Sequence, residues 1–150
     1  SCTGEGVGPF PAEGQYPPAK NWRREELVAG GVGFEDHAGQ RNRRPTRYAG
    51  RDGEYRAYGF AIIVPAGKIA TVRIRRGKTA FLLDPGADGG DGRFRLRQGA
   101  RLLRLTACAE DDTRFLEGVI IGGAQCVRLN STTGAGRTGV VEMPFARSCD

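Results

Sequence analysis

The stretch Tyr58–Arg76, YGFAIIVPAGKIATVRIRR, restricts the fold of this chain more than any other. Its first half holds the longest apolar run, Phe60 to Val64. Its second half alternates, with Ile69, Val72 and Ile74 set among Thr71, Arg73 and Arg75. Pro65-Ala66-Gly67-Lys68 separates the halves. A helix through this stretch would be broken at Pro65 and weakened at Gly67, whereas β-branched residues on both sides of a Pro/Gly turn suit two strands. The expectation is a central hairpin in a β-sandwich.

At 150 residues the chain can bury roughly two thirds of the surface its unfolded form exposes, which is enough for one domain with a full core. The 24 Gly and 8 Pro exceed ordinary usage and favour a turn-rich, all-β fold. No window is long and apolar enough to span a bilayer, and the N-terminus as given shows no basic-then-apolar leader, as expected of a mature or trimmed chain. The formal charge is +6, carried by 20 Arg against 3 Lys. A GC-rich genome is the first explanation of that bias. Guanidinium recognition of phosphates and carboxylates is the second.

The four cysteines, Cys2, Cys108, Cys126 and Cys149, contain no CxxC or CxH spacing of the kind zinc sites use. Disulfides in an oxidising compartment are the better reading. Four cysteines allow three pairings, and the preferred one joins Cys108 to Cys126 and Cys2 to Cys149. Free thiols in a reducing cytosol are the competing reading. In a third, Cys2 is the lipidated first residue of a lipoprotein, which would leave one thiol unpaired.

Residues 1–20 are dense in Gly and Pro and read as an extended N-terminal arm, with 21–150 as a single sandwich domain. WRREELVAGGVGF (22–34) suggests a strand with a bulge or close backbone contact at Gly30-Gly31, with Trp22 as a lid on the core edge. Glu35 to Glu54 is the expected long loop. Its Arg41, Arg43, Arg44, Arg47 and Arg51, with Tyr48, are either a solvated connection or an anion-binding patch. Nucleic acid is not the expected partner, because stacking aromatics are lacking beyond Tyr48 and Tyr55.

Thr79 to Leu83 is a short strand, followed by a Gly-rich run in which Asp84, Asp88 and Asp91 are candidate calcium ligands. The spacing matches neither an EF-hand nor a calcium β-roll, so a plain turn is preferred and no cofactor is expected. Arg93–Arg97 reads as a strand by alternation. Arg101–Cys108 turns Leu103, Leu105 and Ala107 inward and Cys108 outward. In Gln125–Leu129, Val127 and Leu129 face in and Cys126 faces out, so both central cysteines suit a bond at a sheet edge or end. Asn130-Ser131-Thr132 is formally a glycosylation sequon in an expected turn, and Thr138–Phe145 closes the chain with Val141, Met143 and Phe145 on one face. About eight or nine short strands at this spacing indicate an antiparallel β-sandwich, immunoglobulin-like or jelly-roll-like and disulfide-stabilised.

RLLRLTACAEDDTRFLEGVIIGGAQCVRL followed by VVEMPFARSC resembles the end of a group of small, uncharacterised bacterial cell-envelope proteins. The likeness lies in a strand ending Ala-Cys, a Phe-containing loop, a strand opening Cys-Val and a Pro-Phe-x-x-x-Cys finish. VPAGKIATVRI resembles strands of secreted immunoglobulin-like domains. The resemblance covers about the last hundred residues. It implies export, disulfides and a sandwich, and supplies no catalytic residue.

Enzymatic chemistry finds little support. His37 is the only histidine, and no GxSxG elbow is present. Glu110, Asp111, Asp112 and Glu117 are close in sequence, as a glycosidase pair would require, but the first three read as a solvated turn. The expected function is therefore a non-catalytic, secreted or envelope-associated module that binds an unidentified envelope component or protein. Polyanion binding through the arginine-rich loop and the outward arginines at 93, 95 and 97 is one alternative, and a glycoside-active enzyme the other.

Overall fold

The computed structural model describes residues 5–7, 18–45, 47–49, 55–82, 96, 99–134 and 136–150. Among the described residues, eleven strands form two antiparallel sheets that share one core. The first sheet is ordered β1 (Glu5–Val7), β8 (Leu102–Thr106), β6 (Ile69–Arg76), β10 (Gln125–Thr133), β11 (Arg137–Phe145). The second is ordered β2 (Leu27–Ala29), β3 (Val32–Phe34), β5 (Tyr55–Val64), β9 (Thr113–Gly122), β7 (Thr79–Leu82). Because β9 pairs along the whole of one edge of β5, β4 (Arg47–Ala49) shares the other edge with β3. A single helical turn, α1 (Trp22–Glu25), precedes β2. No helix is long and apolar enough to cross a membrane among the described residues.

The sandwich is as expected, but the central hairpin is not. β5 and β6 lie in different sheets, and Pro65–Lys68 carries the chain between them. The two halves of the stretch differ in pattern because they differ in surroundings. In β5, Tyr58, Phe60, Ile62 and Val64 enter the core, while Ala57, Ala61 and Ile63 on the opposite face are also covered. In β6, Ala70, Val72 and Ile74 are buried, and Ile69, Arg73 and Arg75 are exposed. The link is held by Gly67 N–H donating to the Cys108 carbonyl at 2.7 Å and Ala107 N–H donating to that of Lys68 at 3.0 Å. An aromatic cluster joins the sheets from inside: Phe145 of β11 lies 5.8 Å from Tyr58 and 6.1 Å edge-on from Phe60.

Gly30 and Gly31 form the two-residue turn of a β2–β3 hairpin rather than a bulge in one strand, with φ of +58° and +81°. The expected close backbone contact is present: a Cβ on Gly30 would fall 2.5 Å from the Ser131 carbonyl oxygen. Ser131 Oγ donates to the Ala29 carbonyl at 2.6 Å, and Thr133 Oγ1 donates to that of Gly30. These residues belong to β10, which runs through the sequon expected to be a turn. Among its described residues, the Glu35–Glu54 segment is more structured than a loop. It contains β4 and a 3-10 turn at Ala38–Asn42, and Ala146 N–H donates to the Gln40 carbonyl at 3.1 Å. Within the first twenty residues, Glu5–Val7 adds an edge strand against β8. Of the expected strand Arg93–Arg97 only Leu96 is described; it lies outside any strand and packs against Ala57 and Ile120.

The preferred disulfide pairing is overturned, because Cys126 bonds to Cys149 with a Cα–Cα separation of 5.2 Å. Cys108 is disulfide-bonded too, and no described cysteine is free. Cys108, expected to face outward, is buried at 4% exposure, and β6 lies between β8 and β10. Cys108 follows the end of β8 that pairs with Ile69, whereas Cys126 lies at the opposite end of β10. Two strand spacings alone separate them by about 9.6 Å, too far for a disulfide. Cys149 reaches Cys126 because the chain reverses after β11 at Ala146, whose φ is +53°. The closed loop spans a separation of 23 residues, worth about 3 kcal/mol of unfolded-chain entropy in the loop-closure model.

Sheet closure generates a test. A Cβ on Gly139 would lie 2.7 Å from the Ala29 carbonyl carbon and nearer still to Gly30 N, so neither backbone has room to yield. Gly139→Ala is expected to destabilise the fold by about 1–3 kcal/mol in urea unfolding. Gly59→Ala, with no atom within 4 Å of the new carbon, is expected to be neutral or slightly stabilising. Equal effects of the two substitutions would contradict this account of how the sheets meet.

Candidate functional site

The three-residue strands β3 and β4 leave a gap along the edge of β5. Phe34 is opposite Ile62 and Arg47 is opposite Ala57, so the backbone from Tyr58 to Ala61 has no strand on that side. The gap is a cleft of about 540 Å³. The Ala61 carbonyl accepts from Glu35 N–H at 3.0 Å, and the Gly59 carbonyl accepts from the Arg43 guanidinium at 2.7 Å. Glu26, Glu35 and Asp36 line the cleft opposite Arg43, Arg44 and Arg114. Arg114 pairs with Glu35, Arg43 pairs with Asp36 at 2.8 Å, and Glu26 accepts from Asp36 N–H at 2.8 Å. Each of these carboxylates is held by a donor, which makes them structural groups rather than a free acid/base pair.

The arginine-rich loop is therefore divided. Arg43 bridges Asp36 and β5, Arg44 lines the cleft, and Arg41 is exposed on the 3-10 turn. Arg47 and Tyr48 are backbone members of β4, and Arg51 lies outside the described residues. Asp84, Asp88 and Asp91 lie outside them as well. Among the described residues the grouping of metal-ligand types is Cys126, Glu142 and Cys149. Its sulfurs are joined to each other, so they offer no thiolate.

The acidic residues of the β8–β9 turn also separate by role. Glu110 and Asp111 are exposed, as expected of a solvated turn. Asp112 is not: its Oδ2 accepts from Trp22 Nε1 at 2.9 Å and Arg23 at 3.3 Å, and its Oδ1 accepts from Ala66 N–H at 2.9 Å. Burial alone would raise the pKa of this carboxyl. The Trp22 and Ala66 hydrogen bonds and the Arg23 charge outweigh burial, so the pKa falls below its usual 3.8. Trp22, 2% exposed, is the expected lid, lying against Gly33 and Ile63 with Arg23 4.4 Å over its ring. His37 Nε2 donates to the Glu142 carbonyl and pins the 3-10 segment to β11. No sequence spacing signals the Trp22–Asp112 contact, because the partners are 90 residues apart.

The outer face of the first sheet gathers unengaged charge. On that face β8, β6, β10 and β11 contribute Arg73, Arg75, Arg76, Arg104 and Arg128 against one acid, Glu142. Register places Arg73 between Leu102 and Asn130, Arg104 beside Thr71, and Arg128 between Arg76 and Glu142. Thr132 lies between Thr71 and Thr138. Leu102 and Val140 are 43% and 53% exposed on the same face. Among the described residues, none of Arg73, Arg75, Arg76, Arg104 and Arg128 has an ion pair or hydrogen-bond partner for its guanidinium. Other arginines are consumed by the scaffold: Arg101 donates to the carbonyls of Gly77, Thr79 and Ile74. No protein-family model matches the chain, and no curated protein or solved structure is detectably similar to it.

The depressed Asp112 pKa has a definite sign. Its folded-state value lies below 3.8, so its stabilisation is complete above the unfolded pKa and is lost as pH falls through the folded one. Asp112→Asn is expected to cost about 1–3 kcal/mol near neutral pH. In urea unfolding the gap between wild type and variant should narrow as pH falls through and below the usual carboxylate range. A gap independent of pH would exclude the charge of Asp112 as its source.

Proposed function

We propose that this chain is a non-catalytic, exported binding module of the cell envelope, and that the outer face of its first sheet holds an acidic polymer. The observation that carries this reading is the division of the arginines. Those at Arg23, Arg43, Arg101 and Arg114 are bound to carboxylates or carbonyls. Those at Arg73, Arg75, Arg76, Arg104 and Arg128 are exposed across three neighbouring strands without partners among the described residues. Arg24, Arg41, Arg44 and Arg147 are also exposed and unpartnered among the described residues, but they are scattered over separate segments, whereas these five share one sheet. Strand neighbours are about 4.8 Å apart, so guanidinium groups on adjacent strands can follow successive anionic groups of an extended chain. The interspersed Thr71, Asn130, Thr132 and Thr138 add hydroxyl and amide groups suited to a polar, sugar-like backbone. Disulfides support export, since they persist in oxidising compartments. The engaged carboxylates of the β5-edge cleft favour a binding role over hydrolysis.

Retention on dextran sulfate resin tests this directly. The protein should elute at higher salt than a folded control of equal net charge and should not be retained on neutral dextran. Arg73→Gln/Arg104→Gln/Arg128→Gln should reduce affinity about tenfold or more at low salt, whereas Arg41→Gln/Arg44→Gln should change it little. Elution of the triple variant together with wild type would end this reading.

A further inference from the structure

A second cleft, of about 580 Å³, opens at one end of the sandwich. Four chain segments meet there: α1, the β2–β3 turn, the Pro65–Lys68 link and the β10–β11 turn. Arg23, Lys68 and Arg137 line it, each from a different segment, and no carboxylate is among the lining residues. Val28, 40% exposed, and Pro65, partly buried, provide an apolar wall. We propose that this cleft binds a hexose-sized sugar bearing one anionic substituent, a carboxylate or a phosphate. The anion meets the three cations, and the less polar face of the ring lies on Val28 and Pro65.

The walls are preorganised. Gly67 N–H donates to Cys108, Gly134 N–H donates to the Ile69 carbonyl at 3.2 Å, and Thr133 Oγ1 donates to Gly30. Arg23 is fixed from below by the Trp22 ring and by Asp112, which occupies one of its nitrogens and leaves the others to donate. Lys68 and Arg137 have no carboxylate partner among the described residues. Asp112 offsets one of the three positive charges, so the empty cleft is net cationic, and an entering monoanion relieves that repulsion. The space beside Gly134 and Gly136 is open, since a Cβ on either would meet nothing within 4 Å. The volume lies within the range of small-molecule sites, roughly 300–1,000 Å³. This site is separate from the arginine face and does not rest on the polymer reading.

The test is calorimetric titration of the full chain with glucuronate, glucose 6-phosphate, glucose and inorganic phosphate. Saturable binding of either anionic sugar, at least about tenfold tighter than glucose and than inorganic phosphate, is expected. Glucuronate alone would identify a carboxylate ligand, and glucose 6-phosphate alone a phosphate ligand. Lys68→Gln/Arg137→Gln should weaken that binding about tenfold or more with an unchanged melting temperature, because neither side chain braces the fold. Arg104→Gln/Arg128→Gln, on the sheet face, should leave it intact. The proposal is overturned if neither anionic sugar saturates, if glucose or inorganic phosphate binds as tightly, or if the Lys68/Arg137 variant binds like wild type. Dextran sulfate retention is read independently of all these outcomes.

Discussion

The arrangement depends on the Asp112 carboxylate. One of its oxygens receives the backbone of the link between the sheets, and the other receives the Trp22 indole and the Arg23 guanidinium. Three segments distant in sequence are thus joined at one partly buried group. Trp22 in turn covers Gly33 and Ile63, the outward side of the strands that would otherwise expose apolar surface. A charge in this position is tolerated because its hydrogen bonds go to donors that also need partners.

From this pin follows the difference between the two faces of the sandwich. The second sheet is covered on its outer side near β5 by α1 and Leu96. Residues 35–45 close the side of the sandwich, His37 reaching Glu142 of β11 and Gln40 reaching Ala146 just beyond it. Among the described residues, no segment covers the outer face of the first sheet over Arg73, Arg75, Arg104 and Arg128, which are all exposed. On the covered side Arg43 and Arg114 are paired, whereas among the described residues Arg73, Arg75, Arg104 and Arg128 on the open side are not. That contrast gives the basic composition a location.

Part of this was legible along the chain. Val72, Ile74, Leu103, Leu105, Val127, Leu129, Val141 and Met143 are all buried, as alternation requires. Arg73, Arg75 and Arg104 are outward for the same reason. The three-residue strands β1 and β4 were not legible, because so few residues carry no period. The arginine-rich loop was visible as charge density, but the use of Arg43 depends on a carbonyl 16 residues away. Residue type reports what a side chain can donate and leaves its partner unspecified.

The sequence by itself determined that the chain is β-rich, where its longer strands run and which of their faces is apolar. Those are local properties, because side chains alternate along a strand regardless of its neighbours. Tertiary structure alone decided that Pro65–Lys68 crosses between sheets instead of closing a hairpin, and that Cys126 meets Cys149. It also decided that β8, β6 and β10 lie side by side and bring their arginines onto one face. Strand order, and with it every distance between residues far apart in sequence, is set by packing two sheets around one core, and no single strand carries that information.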